Sequence, residues 1–170
     1  ENLEKKEGIA SYIKINNVCE IDECKQGYYL HNNCLKCHES LRSGFYCPMG
    51  NVNTNGTKCP EGYYREQYTN TKSCIKSKCF TKDVHRAMCN AKTGSECRVI
   101  TCKEGYFLNY TSNQCETCEH KIRDGYYCPR GSKQMLINPD HVGEMCPPGS
   151  YRSHDSDIHV SECFPCPDIY

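Results

Sequence analysis

Tryptophan is absent from this sequence of 170 residues, and phenylalanine occurs only four times. The main core-forming side chains are also scarce: six Leu, ten Ile, six Val and the four Phe make 26 residues, about 15%. That is below the roughly 20% at which an ordinary apolar core becomes hard to build. No excess of either charge exists, with 21 Lys+Arg against 21 Asp+Glu. Neutrality removes the basic field that a nucleic-acid binder needs, and it meets only half of the compositional signature of disorder. No apolar run approaches the roughly 18–20 residues that span a bilayer, so no membrane segment is expected within this stretch. The chain opens Glu1-Asn2-Leu3-Glu4, without an initiator Met or an apolar leader. It therefore reads as a mature or excised piece of a longer secreted or surface protein.

Catalytic signatures are lacking too. There is no Gly-x-Ser-x-Gly, no His-Glu-x-x-His, no phosphate-binding glycine loop and no dinucleotide fingerprint. Seven histidines are scattered through polar stretches. The one local His/Asp cluster, His154, Asp155, Asp157 and His159, reads as a solvated loop rather than a metal site. The expectation is a protein that is not an enzyme and carries no cofactor.

Cysteine is abundant: 17 residues, a tenth of the chain, the level at which a disulfide scaffold is the default reading. Oxidising compartments favour dense bridging where a core is weak. Two Asn-x-Ser/Thr sequons, at Asn55 and Asn109, fit that compartment. The expected location is extracellular or on the cell surface, with N-linked glycans at both asparagines. The odd count leaves at least one cysteine unpaired within the stretch. Cys89 is one suspect; the other is Cys166, which reads as the opening of a further module.

The cysteines recur in order. The first copy runs Cys19-x4-Cys24-Lys-Gln-Gly27-Tyr28-Tyr29-Leu30, then Cys34-x2-Cys37. It continues through Arg42-Ser-Gly44-Phe45-Tyr46-Cys47-Pro48 to Cys59-Pro60-Glu-Gly62-Tyr63-Tyr64-Arg65 and Cys74. The second runs Cys97-x4-Cys102-Lys-Glu-Gly105-Tyr106-Phe107-Leu108, then Cys115-x2-Cys118. After it come Arg123-Asp-Gly125-Tyr126-Tyr127-Cys128-Pro129, Cys146-Pro147-Pro-Gly149-Ser-Tyr151-Arg152 and Cys163. Such self-similarity is the signature of tandem units. The glycine after each Cys-Lys-x or Cys-Pro-x supplies a positive-φ turn. The aromatic residue behind it enters a strand, where it covers a neighbouring disulfide in place of aliphatic packing. Tyr12, Tyr68 and Tyr110 fall outside this pattern and are better placed for binding.

Short strands are expected around 28–30, 63–65, 106–108 and 150–152, with one helical turn near 82–89. Five segments follow: a cysteine-free linker or pairing strand over 1–18, repeat 1 over 19–79, a connector holding Cys89 over 80–96, repeat 2 over 97–166, and the start of a continuation over 167–170. Loops 48–58, 66–73, 132–145 and 153–162 vary between the copies and are the expected contact surfaces.

These runs resemble the cysteine-rich modules of cell-surface receptors: tumour-necrosis-factor receptors, ephrin-receptor-like segments, and the furin-like repeats of growth-factor receptors. Comparable repeats occur in surface proteins of ciliates and other protists. The resemblance implies a small disulfide-rich fold, irregular with short β-strands, built as elongated tandem modules with almost no helix. It implies a bridge ladder in which Cys59–Cys74 and Cys146–Cys163 each close one loop. Cys19–Cys34 with Cys24–Cys37, and Cys97–Cys115 with Cys102–Cys118, would form interlaced pairs. Each bridge closing about 15 residues contributes roughly 3 kcal/mol in the chain-entropy model.

Two other chemistries compete. The Cys-x2-Cys spacings beside His38 and His120 match a zinc knuckle, but they sit inside a continuous cysteine series rather than in a regular four-ligand set. A secreted protease inhibitor would present the loop between Cys128 and Cys146, with Arg130, Lys133 and Met135. The favoured reading is a non-enzymatic extracellular module that binds protein partners, assembles with itself, or acts as a spacer. If the modules are stabilised separately, Cys59→Ser disrupts the first and spares the second, and Cys146→Ser does the converse. Amide exchange monitored in each repeat reads this, and joint loss of both would contradict it.

Overall fold

A computed structural model describes residues 7–136, 138–152 and 160–167. The described residues contain no helix; their regular structure is sixteen short strands. The strands pair antiparallel two by two along the sequence, giving eight two-stranded sheets. The first hairpin joins β1 (Ile9–Ile15) to β2 (Val18–Cys24). The second joins β3 (Tyr28–His31) to β4 (Asn33–Lys36). Minimal pairs follow: β5 (Phe45–Tyr46) with β6 (Thr57–Lys58), and β7 (Tyr63–Tyr64) with β8 (Ile75–Lys76).

The same four hairpins then recur. They are β9 (Val84–Met88) with β10 (Arg98–Cys102), β11 (Tyr106–Asn109) with β12 (Gln114–Thr117), β13 (Tyr126–Tyr127) with β14 (Glu144–Met145), and β15 (Ser150–Tyr151) with β16 (Phe164–Pro165). A two-stranded sheet is marginal alone in water, so the bridges must carry what the sheets do not. Counted by hairpins, each repeat opens earlier than the cysteine pattern indicates. Residues 9–15 form β1 and pair with β2 of the same chain. The stretch 80–96 is not a uniform connector. The chain divides into a unit of Glu1–Ser77 with Cys89–Glu96 and a unit of Lys78–Met88 with Cys97–Tyr170.

The helical turn expected near 82–89 is instead strand β9. Val84 and Ala87, three residues apart, are both buried, which mimics a helical spacing. Register shifts in the β9–β10 pair, typical of bulges, let both face inward from a strand.

Seven disulfides join Cys24–Cys34, Cys37–Cys47, Cys59–Cys74, Cys79–Cys97, Cys102–Cys115, Cys118–Cys128 and Cys146–Cys163. The four interlaced pairs implied by the resemblance are replaced by bridges that follow one another without overlap. In the first copy the β1–β2 register sets Cys24 opposite Ile9, where it is fully buried, while Cys19 lies exposed beyond the irregularity between Ile21 and Glu23. Cys34 on β4 bonds to the buried Cys24. Cys37 lies beyond the end of β4 and faces Cys47. In the second copy Cys97 lies just before β10 and bonds back to Cys79. Cys19, Cys89 and Cys166 carry no bridge.

Each unit has two small cores built on sulfur. In the first, Ile9 packs with Cys24 and Cys34, and Leu41 with Cys37 and Cys47. In the second, Val84, Ala87, Val99 and Leu108 surround Cys102, while Phe107, Ile122 and Val142 surround Cys118 and Cys128. The paired aromatics link these cores. Tyr28 packs on the first cluster of its unit and Tyr29 on the second. Tyr106 and Phe107 divide themselves in the same way. Successive strand residues face opposite sides, so one aromatic dipeptide covers two bridges.

Main-chain bonds repeat with the bridges. Gly27 N–H donates to Cys47 O (2.8 Å) and its carbonyl accepts from Cys37 N–H (2.8 Å). Gly105 does the same with Cys128 (2.9 Å) and Cys118 (3.0 Å). At φ of 87° and 80° both glycines hold a turn that other residues rarely adopt.

Arg65 is fully buried. Its guanidinium donates to five carbonyls: Leu41, Phe45, Arg42 (3.1 Å), Glu66 (3.1 Å) and Thr69 (3.1 Å). Burial lowers its pKa from the ordinary arginine value. Arg152 holds the corresponding place in the second unit and donates to Tyr126 O (3.4 Å). Arg65→Ala strips those carbonyls of their guanidinium donors, and it is expected to destabilise the first unit by about 2–4 kcal/mol. Arg65→Lys, which offers no planar fork, should not rescue it. Thermal unfolding followed by tyrosine near-ultraviolet dichroism measures both.

Candidate functional site

The strongest candidate for contact with a partner lies in the first unit, where the turn before β3 faces the 66–73 loop. Tyr28 is fixed there because its ring covers Cys24–Cys34 while its hydroxyl donates to Glu7 Oε1 (3.0 Å). The Glu7 carboxylate accepting that proton, aided by burial, holds the phenol above its ordinary pKa. Opposite stands Tyr68, with φ at +63° and 72% of its surface exposed. Its N–H is bonded to Glu39 O (3.2 Å). A cavity of about 460 Å³ lies between them, lined by Lys36, Glu39, Thr69, Asn70, Thr71 and Lys72 among others. A second cavity of about 650 Å³ shares Glu7, Tyr28 and Lys72, and adds Lys25, Gln26 and Met49. The walls are open, polar and mixed in charge, with one protruding aromatic ring. Such a surface suits recognition of a polar chain rather than enclosure of a small reactive substrate.

The other residues singled out from sequence fall at separate places. Tyr12 and Tyr110 are exposed on their own hairpins. Asn55 is exposed, in the tight turn that ends at Gly56. Asn109 is half-buried and engaged: its Nδ2 donates to Glu116 Oε1 (2.6 Å), while its Oδ1 accepts from Thr111 N–H (2.9 Å). His154, Asp155, Asp157 and His159 lie outside the described residues. The zinc-knuckle cysteines Cys34, Cys37, Cys115, Cys118 and Cys163 have their sulfurs in bridges. In the inhibitor-like loop, Arg130 Nε and Nη2 both donate to Glu104 Oε1 (3.1 and 2.8 Å), with both side chains about half exposed. Arg130 and a backbone hydrogen bond hold Glu104 below its ordinary pKa, the backbone bond contributing most.

Sequence reading missed two features. Arg65 and Arg152 close the Cys-Pro-x-Gly-x-Tyr motif in both copies, a recurrence that marks them for a shared role. The lysines around Tyr28 are far apart in sequence, at 25, 36 and 72, and no local signal joins them.

Glu116 offers a test of the local electrostatics. Its carboxylate accepts from Lys121 Nζ (2.9 Å) and Asn109, and these contacts, Lys121 first, lower its pKa. A depressed folded-state value adds stability above the unfolded carboxylate pKa, about 4.3. That contribution is lost as pH falls through the folded value. Wild type is therefore expected to melt above Glu116→Gln near neutral pH, with the gap closing on acidification; a gap independent of pH would refute this.

No protein-family model matches the chain, and no solved structure matches it. Among curated proteins it is similar to the human "Extracellular matrix organizing protein FRAS1", 25% identical over 129 residues, covering 65% of this chain and 3% of that protein. It is also similar to "Cysteine repeat modular protein 2" of Tetrahymena thermophila, 25% identical over 187 residues, covering 87% of this chain and 9% of that protein. The chain thus spans less than a tenth of the length of either relative.

Proposed function

We propose that this chain is a non-enzymatic extracellular stretch of cysteine-rich repeats. It belongs to a larger cell-surface, coat or matrix protein, and it acts in protein–protein interaction or as a structural spacer. One observation carries the reading: bridges and main-chain bonds recur in matched positions while the loops between them differ. The 59–74 bridge closes a loop of separation 15, in which Tyr68 is exposed, and its counterpart 146–163 closes one of 17. A constant frame with changeable loops is how repeat proteins acquire distinct partners.

The relatives' names agree with this class, one an organiser of extracellular matrix and the other a cysteine repeat modular protein. The likeness of the motifs to receptor modules of the tumour-necrosis-factor, ephrin and furin-like kinds supports the same class. Within it, the Tyr28–Tyr68 surface is the contact site for a protein partner, and Asn55 and Asn109 carry N-linked glycans. Asn55, exposed in its turn, presents the more open acceptor.

The reading is tested by secreting the chain from eukaryotic cells, blocking thiols before digestion, and mapping peptides without reduction. The expected result is seven bridged pairs, with hexose-bearing peptides at Asn55. Recovery of most of those fourteen cysteines in alkylated form would overturn the extracellular assignment.

A further inference from the structure

The first unit includes the separate segment Cys89–Glu96. This segment is a turn held by its own bonds. Asn90 N–H donates to Ser95 O (2.8 Å), Gly94 N–H to Asn90 O (2.8 Å), and Lys92 N–H to Asn90 Oδ1 (3.0 Å). Three contacts seat it on the frame of the unit. Ala91 O accepts from the backbone N–H of Arg65 (3.1 Å). Ala91 also closes over Gly44, its Cβ 3.3 Å from where a Gly44 Cβ would stand. Gly94 lies flat on Tyr64, and a Cβ there would come within 2.5 Å of the ring. With φ at +71° as well, that position is made for glycine.

The second unit repeats this seat and leaves it open. Gly125 N–H donates to Arg152 O (2.8 Å) as Gly44 N–H does to Arg65 O (2.8 Å). Gly125, Tyr151 and Arg152 therefore match Gly44, Tyr64 and Arg65. Among the described residues, no atom lies within 4 Å of where a Gly125 Cβ would stand, and the backbone N–H of Arg152 has no acceptor. Tyr151 is 47% exposed where Tyr64 is half-buried, and Phe164 flanks its ring at 6.4 Å between centroids. Behind it the Arg152 side chain is 2% exposed, yet its Nε and Nη2 lack partners. Arg65 uses all three of its guanidinium nitrogens. Buried donors left unpaired are rare and destabilising, so this part of the second unit is incomplete.

We propose that the Gly125–Tyr151–Arg152 surface is a docking site for a protein loop, and that its occupant is an Asn-Ala-x-x-Gly turn presented by another cysteine-rich repeat. The alanine carbonyl of that turn accepts from the backbone N–H of Arg152. Its methyl group covers Gly125, and its glycine lies on the Tyr151 ring. The matching three positions of the first unit hold such a turn in this way. A second copy of this chain is not the occupant, because its own turn is already seated in its first unit. The surface lies in the other unit from the Tyr28–Tyr68 cleft, and the inference rests on the reading of the chain as repeats. Recognition here runs through a carbonyl, a methyl group and a bare Cα, so the site reads the fold of the turn and leaves its outward side chains free to vary.

The test uses the full chain, isotope-labelled and with its seven bridges verified by peptide mapping, followed by NMR. It is titrated with the synthetic peptide Cys89–Cys97, closed through its two terminal cysteines. The backbone amides of Gly125, Tyr151 and Arg152 are expected to shift together with a single Kd, the Arg152 proton moving downfield as it gains an acceptor. The same peptide with Gly94→Val should bind at least tenfold more weakly. Tyr151→Ala in the chain should weaken the unaltered peptide to a similar degree while the bridge map stays the same. Absence of these shifts at millimolar peptide, equal binding of the Gly94→Val peptide, or shifts confined to Gly44 and Tyr64 would each overturn the proposal. So would shifts at Tyr151 that depend on chain concentration without peptide, since they would make a second copy the occupant. None of these results touches the bridge pattern or the Tyr28–Tyr68 surface, on which the broader reading is judged separately.

Discussion

The constraint on which the molecule depends is the closure of short loops by sulfur. Each bridge spans between 10 and 18 residues, and each lies where hairpins too small to persist alone must be held. The disulfides also supply packing surface. Cys24, Cys47, Cys102, Cys118 and Cys128 are wholly buried, and the few aliphatic side chains gather round them rather than round each other. Four small clusters thus replace one continuous core. A chain with so little Leu, Ile, Val and Phe has no other economical arrangement.

Around the bridges a second set of interactions decides the path of the backbone. Glycine turns pass hydrogen bonds from one loop to the next, and Arg65 gathers carbonyls from two loops that share no strand. A guanidinium suits this because its planar fork presents five donors. The price in desolvation is met by the number of acceptors rather than by a counter-charge, since all five acceptors are backbone oxygens. Polar surfaces such as the Tyr28–Tyr68 cleft are left over at the rim, where loop length is free to vary.

Much of this was legible in the residues. The Gly27 and Gly105 turns, the strands behind them, and the aromatic cover over sulfur follow from local chemistry that both copies repeat. What was not legible depended on facing. Cys24 and Cys37 look like partners in a list of spacings, but the burial of Cys24 against Cys34, and the position of Cys37 beyond β4, decide otherwise. The β1 strand was legible only as one of two readings of 1–18, linker or pairing strand, because Ser11 and Lys14 interrupt its apolar residues. The bulged β9 was hidden because its buried residues keep a helical interval. The lysines of the cleft become neighbours only after three loops have closed.

Because the seven bridges are disjoint, none encloses another, and the chain can be regarded as a tether with stored slack. Pulled along its length, it holds each loop out of the load path for as long as that loop's cystine is intact. Reduction of any one bond frees only its own 10 to 18 residues, roughly 35–65 Å of contour. Extension under tension would therefore advance in increments set by redox chemistry at individual sites, and no single cleavage would release the rest.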